Sequence, residues 1–210
     1  MAAQVAGSKA DFLKDRLWTL CKKPFKSFPG YKVVYWVFDD VTEDDIRLQR
    51  NFFARGLTEK QDKNLFIVPA RAMQKRDSEN LKTELEKYTS RGTRGEPVSL
   101  LIIDTLLSFA KNPAKIFSAF EELVRLKDVK PDLAILLIHH KSKAGNSFGG
   151  VLSTNMPRVI IEMKRDSTSV LDDLKTPITI NVLKHSNEHY GIDVVPFDIQ
   201  LDNNGCFFCC

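Results

Sequence analysis

The stretch PVSLLIID, residues 97–104, decides the fold. Leu100 to Ile103 are large and apolar with no polar alternation, which suits a strand buried on both faces of a parallel sheet. The run stops at a carboxylate, Asp104, before TLLSF. Open α/β sheets gather ligands outside the carboxyl ends of their strands, and an acid there can hold Mg²⁺ beside nucleotide phosphates. Taken alone, an apolar run closed by Asp reads equally well as a strand ending in a turn.

Two further runs repeat the pattern. DLAILLIHH (132–140) ends in His139 and His140 and leads into Lys141, Ser142, Lys143 and a Gly/Ser loop. YKVVYWVF (31–38) ends at Asp39 and Asp40. Three strand ends that each carry charge point to one functional edge. Asp104 is the candidate metal ligand and Asp39 a general base able to orient an attacking water. The histidine and lysine groups can sense or stabilise phosphoryl charge.

Working outward, NLFIVPA (64–70) is another short strand, and helical spacing appears over 43–56, 78–90 and 113–127. Residues 9–23 place Phe12, Leu13, Leu17, Leu20 and Cys21 on one helical face that ends before Pro24. After residue 150, RVIIEMKR, TPITINVLKH and VVPFDIQL follow one another without helices, as an antiparallel meander does. The expected fold is therefore α/β: a mostly parallel sheet flanked by helices, with a C-terminal antiparallel β extension.

Composition bounds the rest. With 210 residues, 43% of them hydrophobic, the chain can bury one substantial core, expected over 1–201 with a Cys/Phe tail at 202–210. Ten Gly and nine Pro are too few for a disordered or collagen-like chain. No run reaches the roughly 20 apolar residues of a membrane span, and MAAQVAGSKADFLKD lacks a secretory layout. A cytoplasmic protein is the expectation. A net charge of +4 is compatible with nucleic acid without identifying it. Cys206, Cys209 and Cys210 crowd the end while Cys21 stands alone, so no disulfide framework is encoded.

The usual companion of such an edge is a phosphate-binding loop, G-x-x-x-x-G-K-[ST], between the first strand and first helix. Here AAQVAGSKADF keeps Gly7 and Lys9. Ser8 replaces the second glycine, Ala10 replaces the hydroxyl residue, and the first glycine is absent. The eight residues ahead of the helix are too few for the preceding strand, which is expected to be missing or truncated.

In order and spacing, residues 5–200 resemble the RecA-like hexameric ATPases of plasmid and phage replication, the RepA-type helicases related to the DnaB type. The likeness is carried by VVYWVFDDVTEDDIRLQR, NLFIVPAR, LLIIDTLLSFA, AILLIHHKSKAGNSFGG and NMPRVIIEMKR. The resemblance implies a RecA-like P-loop NTPase core, ATP and Mg²⁺ as cofactors, a homo-oligomeric ring, a hexamer in the family, and action on single-stranded DNA. It makes Gly7, Ser8 and Lys9 the remnant of the phosphate loop, and Asp104 the Mg²⁺-supporting acid. Asp39 stands where the family has its catalytic glutamate. His139 and His140 match the strand-tip sensor pair. Lys184 and Arg158 match cations near the nucleotide, Lys184 acting on a neighbouring subunit's site. Ser186 stands where an arginine often follows that lysine.

Two basic segments, RGTRG (91–95) and HHKSKAGNS (139–147), make Arg91, Arg94, Lys141 and Lys143 the candidate DNA contacts, although neither has interleaved aromatics. HSNEH (185–189) spells a zinc-peptidase string, but that motif works on a helix, and here it adjoins strand-like INVL. Two readings stay open: an ATPase acting on DNA, and an impaired module that binds or assembles without hydrolysis.

Overall fold

The computed structural model describes residues 32–39, 41–47, 63–92, 96–140, 156–157, 159–165, 178–185, 197–201 and 207–209. They fall into two compact units, 32–140 and 156–209. The expected helix at 9–23, most of the helix at 43–56 and the loop at 141–150 lie outside the described residues.

The first unit is built on four parallel strands: β1 (Lys32–Val37), β2 (Leu65–Pro69), β3 (Val98–Asp104) and β4 (Ala134–Ile138), in the order β2-β1-β3-β4. Every residue of β1 is buried, as a strand apolar on both faces must be when it sits inside a sheet covered on both sides. Val33, Tyr35 and Val37 share one face with Leu65, Ile67 and Ile102, against which Val41 and Ile46 pack. The opposite face carries Trp36, Phe66 and Phe38. There Phe66 meets Tyr88 at 5.1 Å and Phe38 meets Phe109 at 5.2 Å between ring centroids.

Those ring contacts bring in the helices. In α1 (Ser78–Thr89), Leu81, Leu85 and Tyr88 recur at helical spacing and are buried. Asp77 caps its start by accepting from the Asn80 amide at 3.0 Å. α2 (Leu106–Ala110) is capped by Thr105 and closes at Lys111 with a left-handed φ of 64°. At five residues it is too short for a periodic signal, and sequence reasoning did not anticipate it. The helix expected over 113–127 opens instead as a 3-10 turn, Pro113–Lys115, with Asn112 accepting from Ala114 N at 2.8 Å. α3 (Ile116–Val129) follows and packs on α1 and α2. The segment 43–47 is helical, with Thr42 Oγ1 accepting from Asp45 N and Asp45 Oδ2 accepting from Thr42 N, a reciprocal cap.

The order of strands locates a crevice. The chain steps from β1 outward to β2, then returns past β1 to β3 and β4, so its direction reverses between β1 and β3. Ile46, at the described start of the β1–β2 connection, packs on one face of the sheet and Tyr88 of α1, between β2 and β3, on the other, as right-handed crossovers on either side of a reversal require.

At the amino edge of the sheet, Lys32 is fully buried and its Nζ donates to the Thr89 carbonyl at the end of α1, 2.5 Å away. Burial pushes its ammonium pKa down, opposed by the charge of Glu96. Gly92 has φ 68°, and a Cβ there would lie 2.4 Å from the Lys63 carbonyl oxygen. The start of the basic segment 91–95 is thus fixed against the turn that precedes β2.

The second unit is an antiparallel sheet, β5 (Val159–Arg165), β6 (Ile178–His185), β7 (Phe197–Leu201) and β8 (Phe207–Cys209), in sequential order. β5 and β6 shift register at Ile160/Ile161. Glu162 is buried there, within 2.9 Å of Lys164 Nζ. Within the tail at 202–210, Phe207–Cys209 pair with β7. No helix among the described residues is long and apolar enough to cross a membrane.

Candidate functional site

The reversal between β1 and β3 opens at the carboxyl ends of those strands, where a ligand crevice forms in sheets of this kind. Asp104 is the last residue of β3 and pairs in register with Val37 of β1. Asp39 lies two residues past the end of β1, and the Phe38 amide donates to the Asp104 carbonyl at 2.6 Å, tying the two strand ends together. Asp104 also pairs with Ile138 of β4, which carries His140 two residues on. The ligand atoms of Asp39, Asp104 and His140 all lie within 4.8 Å of one another, both acids half-buried and the imidazole exposed.

Each carboxylate is held from below. Tyr35 Oη donates to Asp104 Oδ2 at 2.5 Å. Tyr35 sits on the same face as Asp104, one pleat back in the paired strand, within reach of a long aromatic side chain. Burial first, then this bond and the charges of Asp104 and Asp39, raise the Tyr35 phenol far above its ordinary pKa. Asp39 Oδ1 accepts from Ser108 Oγ and from Thr105 Oγ1, the latter at 3.3 Å. The two hydroxyls are 3.2 Å apart on the first turn of α2. Asp39 Oδ2 and Asp104 Oδ1 meet no donor among the described residues, leaving one oxygen of each acid for a ligand.

Two carboxylate oxygens and an imidazole nitrogen, with open sides for water, fit a divalent cation bound partly through solvent. In chemical terms the arrangement can hold a metal and align a water beside it.

Sequence reasoning nominated Asp39, Asp104 and His140 separately, and the structure brings them together. His139 does not join their cluster. Arg91 lies at the other end of α1, at the amino edge, its guanidinium 5.4 Å over the Tyr88 ring. Gly7, Ser8, Lys9, Arg94, Lys141, Lys143 and Arg158 lie outside the described residues. So does the side chain of Lys184, whose backbone is part of β6 and pairs with Ile160 in the second unit. His185 closes β6, a strand rather than the helix a zinc-peptidase string needs. Sequence reasoning missed Tyr35, Thr105 and Ser108. Their signals were a hydroxyl-bearing ring inside the buried run KVVYWV and a T-x-x-S directly after the strand-ending acid.

Neither the family models nor the curated proteins compared with this chain give a match. Among solved structures, the chain is similar to a KaiC-like protein from the hyperthermophilic archaeon Pyrococcus horikoshii OT3, at a TM-score of 0.56 and 13% identity. The superposition covers 86% of this chain and 76% of that one. At this identity the likeness establishes fold: the chain has a RecA-like α/β architecture, a parallel sheet flanked by helices plus an antiparallel sheet.

Proposed function

We propose that this chain is a RecA-like ATPase module that binds Mg·ATP at the carboxyl edge of its parallel sheet and acts on single-stranded DNA as a subunit of a RepA-type homo-oligomeric ring. One observation carries the reading: Asp39, Asp104 and His140, from three different strand ends, converge within 4.8 Å where the strand order reverses. Asp104 would hold a Mg²⁺ ion largely through water, the ion would screen charge on the transferring phosphoryl group, and His140 would sense that charge from the neighbouring strand tip. Asp39, its Oδ1 fixed by two hydroxyls, keeps Oδ2 to orient the attacking water and take its proton. Lys9 is the proposed phosphate contact and Lys184 the proposed cation offered to a neighbouring subunit. Lys141 and Lys143 directly follow His140, so a DNA strand bound there would be sensed at the site.

The test is ATP turnover with and without single-stranded DNA, in wild type and Asp104→Ala. The reading expects turnover that DNA stimulates and Asp104→Ala removes; equal rates in both proteins refute it. Ala10, standing where the phosphate loop has a metal-binding hydroxyl, favours a second reading: a RecA-like module that binds and assembles without hydrolysis. Nucleotide binding without turnover in wild type selects it.

A further inference from the structure

Arg76 is a half-buried arginine that sequence reasoning passed over. Its guanidinium stacks 4.4 Å over the Phe38 ring and lies 5.8 Å from that of Phe109, inside cation–π range of both. Nη1 donates to the Ser108 carbonyl at 2.6 Å and the Phe109 carbonyl at 2.5 Å, while Nε donates to the Met73 carbonyl at 3.1 Å. Among the described residues no carboxylate pairs with it. Its charge is therefore directed at backbone carbonyls, two of which, those of Ser108 and Phe109, lie in the last turn of the five-residue helix α2.

What those carbonyls belong to gives the arrangement its meaning. Ser108, whose carbonyl Arg76 holds, donates its own hydroxyl to Asp39 Oδ1. Phe38, on which Arg76 stacks, is the residue before Asp39. One planar cation thus grips both the strand end that carries Asp39 and the helix that fixes the Asp39 carboxylate. Lys111 Nζ adds a second tie from the end of α2 to the same 71–76 segment, donating to the Gln74 carbonyl at 3.0 Å.

We infer that Arg76 is a positioning residue for Asp39: it locks α2 against the end of β1 so that Ser108 and Thr105 aim the free Asp39 oxygen into the crevice. The inference rests on the proposed role of Asp39 for its catalytic consequence, but its geometric content is independent of that role. A lysine cannot replace the guanidinium, since a single ammonium cannot stack flat on Phe38 while donating to three carbonyls.

Three variants test it: Arg76→Gln, Arg76→Lys and Ser108→Ala, each compared with wild type for thermal unfolding, hydrogen exchange and ATP turnover. Exchange is expected to rise over residues 106–110 in Arg76→Gln and Arg76→Lys while β1 and β3 stay protected. The kcat for ATP should fall about 10–100-fold with KM nearly unchanged, because orientation rather than binding is lost. Adding Arg76→Gln to Ser108→Ala should cost little more than the worse single change, since both act through one contact. Fully additive losses, or exchange that rises equally throughout the sheet, would overturn the inference. If Arg76→Gln fails to fold, Arg76→Lys decides on the same readouts. If Asp39→Asn leaves turnover intact, the proposed role of Asp39 as the base fails, and exchange over 106–110 still settles whether Arg76 holds α2.

Discussion

The two edges of the parallel sheet bury polar groups to opposite ends. At the amino edge, the Lys32 ammonium is enclosed and bonded to the Thr89 carbonyl, and Gly92 is pressed against the Lys63 backbone. At the carboxyl edge, Asp104 and Asp39 are held by Tyr35, Thr105 and Ser108 through one oxygen each, and the second oxygen of each meets no donor among the described residues. A buried polar group whose neighbours complete it is a structural fixture. One that is gripped on one side and open on the other is arranged for a visitor.

That contrast separates two kinds of damage. Changes at the carboxyl edge should remove chemistry and spare the fold. Asp39→Asn is expected to lower kcat for ATP about 100-fold or more with the unfolding midpoint little changed, measured by steady-state turnover and urea titration. A comparable loss of stability would erase the distinction. Changes at the amino edge should do the reverse. Lys32→Ala is expected to cost about 2–4 kcal/mol in urea unfolding, from a lost stem and an uncapped carbonyl, with kcat per folded molecule retained. Gly92→Ala forces a methyl into the Lys63 carbonyl at positive φ and should cost about 1–3 kcal/mol, again without altering kcat.

The smallest effect sharpens the contrast through pH. The folded protein lowers the Lys32 pKa, so the unfolded chain binds more protons between that value and about 10.4, and stability from this group rises with pH across that window. Tyr35 has the opposite sign: its raised pKa gives stability that is complete below about pH 10 and lost as pH climbs towards the folded value. Unfolding free energies from pH 8 to 11 should therefore fall less steeply in Tyr35→Phe than in wild type. Identical slopes would contradict the burial of the phenol beside Asp104.

Much of this was legible in the sequence, for definable reasons. β1, β3 and β4 are apolar runs without alternation, and each ends in a charged or titratable residue, so Asp39, Asp104 and His140 stood out before their proximity was known. Their convergence required the strand order, which no local pattern encodes. Tyr35 read as a strand former because its partner lies 69 residues away. Ser108 was hidden in a helix of five residues. Nothing local marked Lys32 or Gly92, because the carbonyls that enclose them come from α1 and from the turn before β2. Arg76 carries no motif at all; its role exists only once Phe38 and α2 are packed together.

The most direct test is calorimetric titration of ATP, with and without Mg²⁺, into wild type, Asp104→Asn and Lys32→Ala. Binding that Mg²⁺ strengthens in wild type and in folded Lys32→Ala, but not in Asp104→Asn, is the predicted result. An Asp104→Asn protein that binds ATP with undiminished Mg²⁺ dependence would contradict the assignment of the carboxyl edge.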